Sequence, residues 1–286
     1  MILLDGKKLN GEIADGLKKK IEESGIRPTL AIIQVGNVEE SNAYIRHKKS
    51  YGERIGANVV HIVLASDIPE TELINKINEL NNDSGVNGII VQLPISKHLD
   101  KNKVIESVSP MKDVDGLHSI NAGKVFSDDL TGVTPATPKG VISLLKHYGI
   151  KIEGKRALVI GKSMLVGKPV AMLLLREGAT VTIAHSKTEN LKDVVKESDI
   201  VVVAVGKAGL ITKEMVREGQ VIVDVGTNSV EGEKTLEEIP TRKLVGDVAF
   251  DEVKDIVYAI SPVPGGAGPM TVASLFENLV EVSLKK

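Results

Sequence analysis

Short runs of Val, Ile and Leu recur along this chain, spaced so that one helix fits between most neighbouring runs. Thr29–Val35 (TLAIIQV), Val59–Leu64, Gly88–Leu93 (GIIVQL), Ala157–Ile160, Thr180–Ala184, Ile200–Val205, Val221–Val225 and Val257–Ile260 read as strands. Several are apolar throughout rather than alternating, the pattern of strands covered on both faces. Helical patterns are read over Leu9–Ser24, Ser41–Ile55, Glu70–Asn81, Pro138–Tyr148, Val166–Glu177, Leu191–Glu197 and Met270–Leu284, with Thr137 and Thr271 as N-caps. Strands joined through helices pair in parallel, so the fold class is α/β.

At 286 residues the chain has room for about two domains. The segment after Asp113 reads as loop, with Gly116, Gly123, Gly132, Pro135 and Pro138, and the boundary is placed there. The expected division is 1–125, completed by the terminal helix 268–286, and 126–267. Lys plus Arg number 36 against 38 Asp plus Glu, and this near-neutrality argues against a nucleic-acid partner. There is no Cys, which excludes disulfides, thiol nucleophiles and zinc–thiolate sites. The apolar start ends at Leu4, and the longest apolar runs, Val170–Leu175 and Ile200–Val205, are too short to span a bilayer. A cytoplasmic protein with no membrane partner is expected.

The strongest local signal is ALVIGKSMLVGKPVAMLLL, a strand, a glycine turn and a helix. Gly161 follows the strand and Gly167 opens the helix, with Lys162 and Ser163 between them. Such a turn brings a pyrophosphate to free N–H groups at a helix N-terminus; the competing reading is an ordinary strand-ending turn. The next strand ends in His185, Ser186, Lys187 and Thr188, where NAD-binding folds place a carboxylate for the ribose hydroxyls. A hydroxyl and cations there suit a 2′-phosphate, hence NADP, or form a solvated loop. Gly226 and Thr227, in DVGTN after a later strand, are placed for the nicotinamide end or for a simple turn.

In the first half, Tyr44, Lys48, Tyr51 and Ile55 share one helix face. A lysine in such a stripe either has a lowered pKa, suiting it to proton transfer, or snorkels to water. Gln92 ends the strand GIIVQL and is suited to hold a neighbouring lysine or a substrate group, or to cap the strand. Asp113 and Asp115 in KDVDG offer a carboxylate for the N–H groups of a heterocycle, or a turn. No third ligand falls at metal spacing and the six His form no H-x-x-x-H pair, so no metal site is expected.

Six segments together resemble the bifunctional methylenetetrahydrofolate dehydrogenase/methenyltetrahydrofolate cyclohydrolase family (FolD type), over almost the whole chain. They are SNAYIRHKKSYGERIGA (41–57), GIIVQLPI (88–95), MKDVDGLHSINAGKV (111–125), TPATPKG (134–140), VIGKSMLVGKPVA (159–171) and SPVPGGAGPMT (261–271). The resemblance implies two domains around a cleft, the C-terminal half Rossmann-like and the N-terminal half a smaller α/β domain, in a homodimer. It implies oxidation of 5,10-methylenetetrahydrofolate by NADP⁺, then hydrolysis of the methenyl product to 10-formyltetrahydrofolate. By the same resemblance Lys48 is the catalytic lysine, Gln92 orients it, Tyr44 stacks on the folate and Asp115 accepts from the pterin. Val91, Leu93 and Pro264, Gly265, Gly266, Ala267 and Gly268 line the folate pocket, and Ser163, Ser186 and Thr227 contact the cofactor. Three positions depart from the family pattern: Lys162 stands where Arg is usual, Ala267 replaces Val, and Thr227 replaces Ile.

Overall fold

The computed structural model describes residues 1–234 and 240–285. In chain order the elements are β1 (Ile2–Leu3), α1 (Gly6–Ser24), β2 (Thr29–Val35), α2 (Glu39–Ile55), β3 (Asn58–Leu64), α3 (Glu70–Asn82) and β4 (Gly88–Val91). Next come α4 (Lys101–Glu106), α5 (Ser119–Phe126), α6 (Ala136–His147), β5 (Arg156–Ile160), α7 (Gly167–Arg176), β6 (Thr180–Ala184) and α8 (Leu191–Glu197). The last are β7 (Ile200–Val203), β8 (Val221–Asp224), β9 (Asn228–Lys234), β10 (Pro240–Val245), α9 (Phe250–Val253), β11 (Ala259–Ile260) and α10 (Ala267–Leu284). The chain forms two compact units, Met1–Leu9 with Thr137–Thr271, and Asn10–Ala136 with Val272–Lys286.

The unit Asn10–Ala136/Val272–Lys286 is built on a three-stranded parallel sheet in the order β3-β2-β4. The central strand β2 alternates its contacts. Leu30 and Ile32 join a core with Ala14, Leu17 and Ile21 of α1, Ile45, Tyr51 and Ile55 of α2, and Phe276 and Leu279 of α10. Ala31, Ile33 and Val35 pack on the other face with Leu73, Ile77 and Leu80 of α3. The unbroken apolar run Leu30–Ile33 within TLAIIQV follows from this double coverage. Tyr51 and Phe276 stack with ring centroids 5.1 Å apart.

The unit Met1–Leu9/Thr137–Thr271 carries a six-stranded, all-parallel sheet in the order β1-β11-β8-β7-β5-β6. Winding runs outward from β5 to β6, then returns across β5 to β7. The crevice between β5 and β7 is therefore the topological switch point, where ligands bind in open α/β sheets. Leu158, Ile160, Val201, Val203, Ile222 and Ile260 share one core with Val195, Ile211 and Val253. A two-stranded antiparallel ribbon, β9–β10, projects from the loop after β8.

Several local expectations change. Thr137 lies inside α6, which begins at Ala136, and its hydroxyl meets that of Thr271 at 3.0 Å. Thr271 lies in the second turn of α10, bonded back to Ala267 O at 3.4 Å, so neither threonine is an N-cap. The segment after Asp113 is not all loop. It holds α5, whose N-cap is His118, with its ring Nδ1 accepting from Ile120 N. Strand β4 stops at Val91, although Gln92 N still donates to Ile33 O at 2.8 Å.

Phe276 is the largest fully buried side chain. Replacing it with Ala removes a core ring and its stacking partner from Tyr51. Phe276→Ala is expected to cost about 3–5 kcal/mol, read as a lowered urea midpoint for the unit that contains it.

Candidate active site

Lys48 projects from α2 on the side that buries Ile45, Tyr51 and Ile55, and is only 8% exposed. Its Nζ donates to Gln92 Oε1 at 2.9 Å. The Gln92 amide is oriented by its other end, where Nε2 donates to Leu93 O at 2.8 Å, leaving the oxygen for the lysine. Burial holds the Lys48 pKa below the ordinary lysine value, and the Asp115 carboxylate pulls it partly back up. The reciprocal holds at Asp115. Burial pushes its carboxyl up, Lys48 draws it down, and Asp113 adds a further upward push. The two groups thus moderate each other's desolvation. Tyr44, one turn before Lys48, is 42% exposed, whereas the lysine is buried.

The structure separates the two aspartates of KDVDG. Asp113 is spent on structure: Oδ2 accepts from His118 N at 2.8 Å and Asn121 Nδ2 at 2.9 Å, and its backbone bridges to Ile89 beside β4. The Asp115 loop is shaped by Gly116, whose φ of 72° and close approach to Pro135 exclude a side chain. Asn278 of α10 clamps this loop, donating to Val114 O at 2.9 Å and Thr134 O at 2.8 Å. Sequence reasoning missed Asn278, because an Asn in an amphipathic helix carries no local signal of its partners. Val91 is buried at the end of β4, and Leu93 is half-buried beyond it.

In the other unit, Gly161 leaves β5 at φ 131°, and a Cβ there would collide with Ala204 O in the loop after β7. A Cβ on Gly167 would collide with Gly161 O. The two glycines therefore serve close backbone approach at the switch point, which makes the turn more than a strand ending. Ser163 Oγ accepts from Val166 N at 3.2 Å and Gly167 N at 3.3 Å, capping α7. Lys162 is exposed. After β6, His185 Nδ1 accepts from Lys187 N and His185 N donates to Thr188 Oγ1, so this turn is ordered while the Ser186 and Lys187 side chains remain exposed. Gly226 is buried and Thr227 exposed. Pro264, Gly265 and Gly266 form a turn with Gly265 at φ 111°, whereas Ala267 and Gly268 open α10 rather than extending the loop.

Tyr44, Lys48, Val91, Gln92, Leu93 and Asp115 thus lie in one unit, and the glycine turns with their cations in the other. Among the described residues no group of three His, Asp or Glu is arranged to hold a metal ion, and no helix is long and apolar enough to cross a membrane.

An all-parallel sheet with a glycine turn at its switch point defines a dinucleotide-binding α/β protein, here joined to a unit in which a buried lysine meets half-buried Gln92 and Asp115. Family models agree with both halves: residues 4–115 match the tetrahydrofolate dehydrogenase/cyclohydrolase catalytic domain, and residues 135–286 match its NAD(P)-binding domain. The chain belongs to the tetrahydrofolate dehydrogenase/cyclohydrolase family. It is 47% identical to the bifunctional protein FolD of Methanospirillum hungatei over 282 residues, covering 99% of this chain and 97% of the relative. The crystal structure of the bifunctional FolD enzyme of Campylobacter jejuni matches with TM-score 0.92 and 42% identity, covering 100% and 99% of the two chains. The Trypanosoma brucei enzyme, solved with NADP and an inhibitor, matches with TM-score 0.94 and 33% identity over 100% and 98%.

Any side chain at Gly167 must push α7 away from the turn. Gly167→Ala is expected to weaken NADPH binding by about tenfold or more, the equivalent of one lost hydrogen bond to a charged group, in a fluorescence titration. The absence of Trp gives that titration a low background.

Proposed function

We propose that this protein oxidises 5,10-methylenetetrahydrofolate to 5,10-methenyltetrahydrofolate with NADP⁺ and hydrolyses the product to 10-formyltetrahydrofolate. The observation that carries the reading is the Lys48 Nζ–Gln92 Oε1 bond at 2.9 Å, beside Asp115, in a chain whose other unit has the NAD(P)-binding fold. NADP⁺ supplies the hydride acceptor when bound. The glycine turn at Gly161 and Gly167 fits the approach of a pyrophosphate, and Lys162, Ser186 and Lys187 offer cations and a hydroxyl for a 2′-phosphate. Lys162 holds phosphate as a point charge rather than as the planar fork of an arginine.

In this reading the unit Asn10–Ala136/Val272–Lys286 carries the folate chemistry. The exposed Tyr44 ring stacks on the folate, and Asp115 accepts from pterin N–H groups. Val91 and Leu93 contribute to the pocket, while the Pro264–Gly268 segment belongs to the other unit. Hydride transfer asks mainly for alignment of two bound molecules. Hydrolysis asks for more, because water must lose a proton as it adds to the methenyl carbon. Lys48, held in the neutral direction by burial, takes that proton as the C–O bond forms. The adduct then opens as its C–N5 bond breaks, N5 taking the proton from Lys48 and the hydroxyl proton leaving to water as the formyl C=O forms, with Gln92 fixing the amine throughout. The reading extends to a cytoplasmic homodimer. Strand β6, the sheet edge, leaves Ile183 37% exposed, and Leu175 at the end of α7 is 55% exposed, apolar surface suited to a second copy.

Purified protein given methylenetetrahydrofolate is expected to reduce NADP⁺ in preference to NAD⁺ and to release 10-formyl product faster than methenyl hydrolyses unaided. Methenyl product hydrolysing only at the unaided rate would remove the second activity from the reading. Lys48→Met is expected to lower hydrolysis by about a hundredfold or more, within the usual range for losing a positioned acid–base group.

The pH profile tests the electrostatics. Asp115 raises the Lys48 pKa, so removing its charge lets that pKa fall further. If neutral lysine is the working form, the rising limb of hydrolysis rate against pH belongs to Lys48. Asp115→Asn is expected to move that limb to lower pH while raising the folate KM. A limb that stays in place would separate Asp115 from the lysine.

A further inference from the structure

Two buried carboxylates at the C-terminal ends of the larger sheet have no part in the chemistry above. Asp224 closes β8, and Asp247 lies two residues beyond β10; they are 2% and 0% exposed. Asp247 Oδ2 accepts from Val205 N at 2.8 Å and Gly206 N at 3.0 Å. Its Oδ1 accepts from Lys207 N at 2.7 Å and Asn228 Nδ2 at 2.9 Å. Three successive backbone N–H groups aimed at one anion make a nest of the kind that binds phosphates, here filled by the protein's own carboxylate. Asp224 in turn accepts from Gly226 N, Asp247 N and Val248 N at 2.8–3.0 Å.

The pair is interlocked through glycines. A Cβ on Gly226 would collide with the Asp247 carboxyl, and a Cβ on Gly246 with that of Asp224. Each carboxylate therefore occupies the space a side chain would take on the loop beside it. The loop that Asp247 holds, 205–207, follows β7 and is one wall of the switch-point crevice. The residue before it, Ala204, presents its carbonyl directly to Gly161 of the nucleotide turn. Through Asn228 the same carboxylate reaches the Gly226–Asn228 turn after β8.

We infer that Asp247 is a positioning residue for the dinucleotide crevice, holding the loops after β7 and β8 in the form that receives the nicotinamide half of NADP. The inference rests on the function proposed above. It acts on the dehydrogenase reaction and leaves hydrolysis alone, because Lys48, Gln92 and Asp115 belong to the other unit. Asp247→Asn keeps the shape but turns one acceptor into a donor facing N–H groups. Asn228→Ala removes a single donor from the same carboxylate and spares the backbone nest, so it reads the same effect should the first variant fail to fold.

The experiment compares wild type, Asp247→Asn and Asn228→Ala in three measurements: NADPH binding by fluorescence, kcat and KM for NADP⁺ in the dehydrogenase assay, and hydrolysis of 5,10-methenyltetrahydrofolate without cofactor. Expected are a rise of about tenfold or more in the NADPH Kd for Asp247→Asn and about threefold for Asn228→Ala, the usual range for disturbed buried hydrogen bonds. Cofactor-free hydrolysis should stay within about twofold of wild type, the span of an undisturbed distant site. Equal loss of both activities, or unchanged NADPH binding, overturns the inference. A wild type that binds NADPH but oxidises no methylenetetrahydrofolate overturns the proposed function instead, and the binding titration still decides the role of Asp247.

Discussion

A parallel strand has to be covered on both faces, and the architecture follows from that requirement. Each strand must return to the same end of its sheet through a crossover, so the C-terminal ends gather the loops that no regular pairing consumes. Gln92 follows β4, Gly161 follows β5, His185 follows β6, Val205–Lys207 follow β7, and Gly226 follows β8. Polar and glycine residues collect at these ends, beyond strands that in β4, β5 and β7 are apolar and buried along almost their whole length. Lys48 is the exception, a helix residue brought to a strand end by the length of its own side chain.

Much of this framework was legible in the residues. Thr180–Ala184 and Leu191–Glu197 are found at the expected bounds, since a turn signal flanks each and nothing tertiary competes. Expectation failed where tertiary contacts replaced local ones. Strand β1 is two residues long and exists only because Ile2 and Leu3 pair with β11 far along the chain. Helix α5 is capped by His118, an uncommon cap whose ring nitrogen does the work usually given to Ser or Asp. Thr137 and Thr271 looked like caps from composition, but both helices start earlier and the two hydroxyls meet each other.

The Lys48–Gln92 contact was legible for the same reason. Lys48 stood out because a cation interrupts an apolar stripe, and Gln92 because an amide ends an apolar strand. The difference between Asp113 and Asp115 was invisible, because it is set by His118 and Asn121 on one side and by the placement of Lys48 on the other. Asp224 and Asp247 carry no local signal of their partners. Asp224 opens DVGTN two residues before Gly226, Asp247 directly follows Gly246, and what sets both apart is which backbone N–H groups the fold delivers to them.

The two units bury charge in opposite ways, and the contrast bears on what each charge is for. Asp247 has four donors on its two oxygens, and Asp224 has three backbone N–H groups that pull its pKa down against burial, which still leaves it at about 6. Donors of that number fix a carboxylate in place and make it expensive to move, as a support should be. Lys48 has one Gln92 acceptor and the field of Asp115, and burial outweighs that field. A group left with so little to hold its charge gives up its proton more readily than an ordinary lysine, which is the direction required by the relay proposed for it.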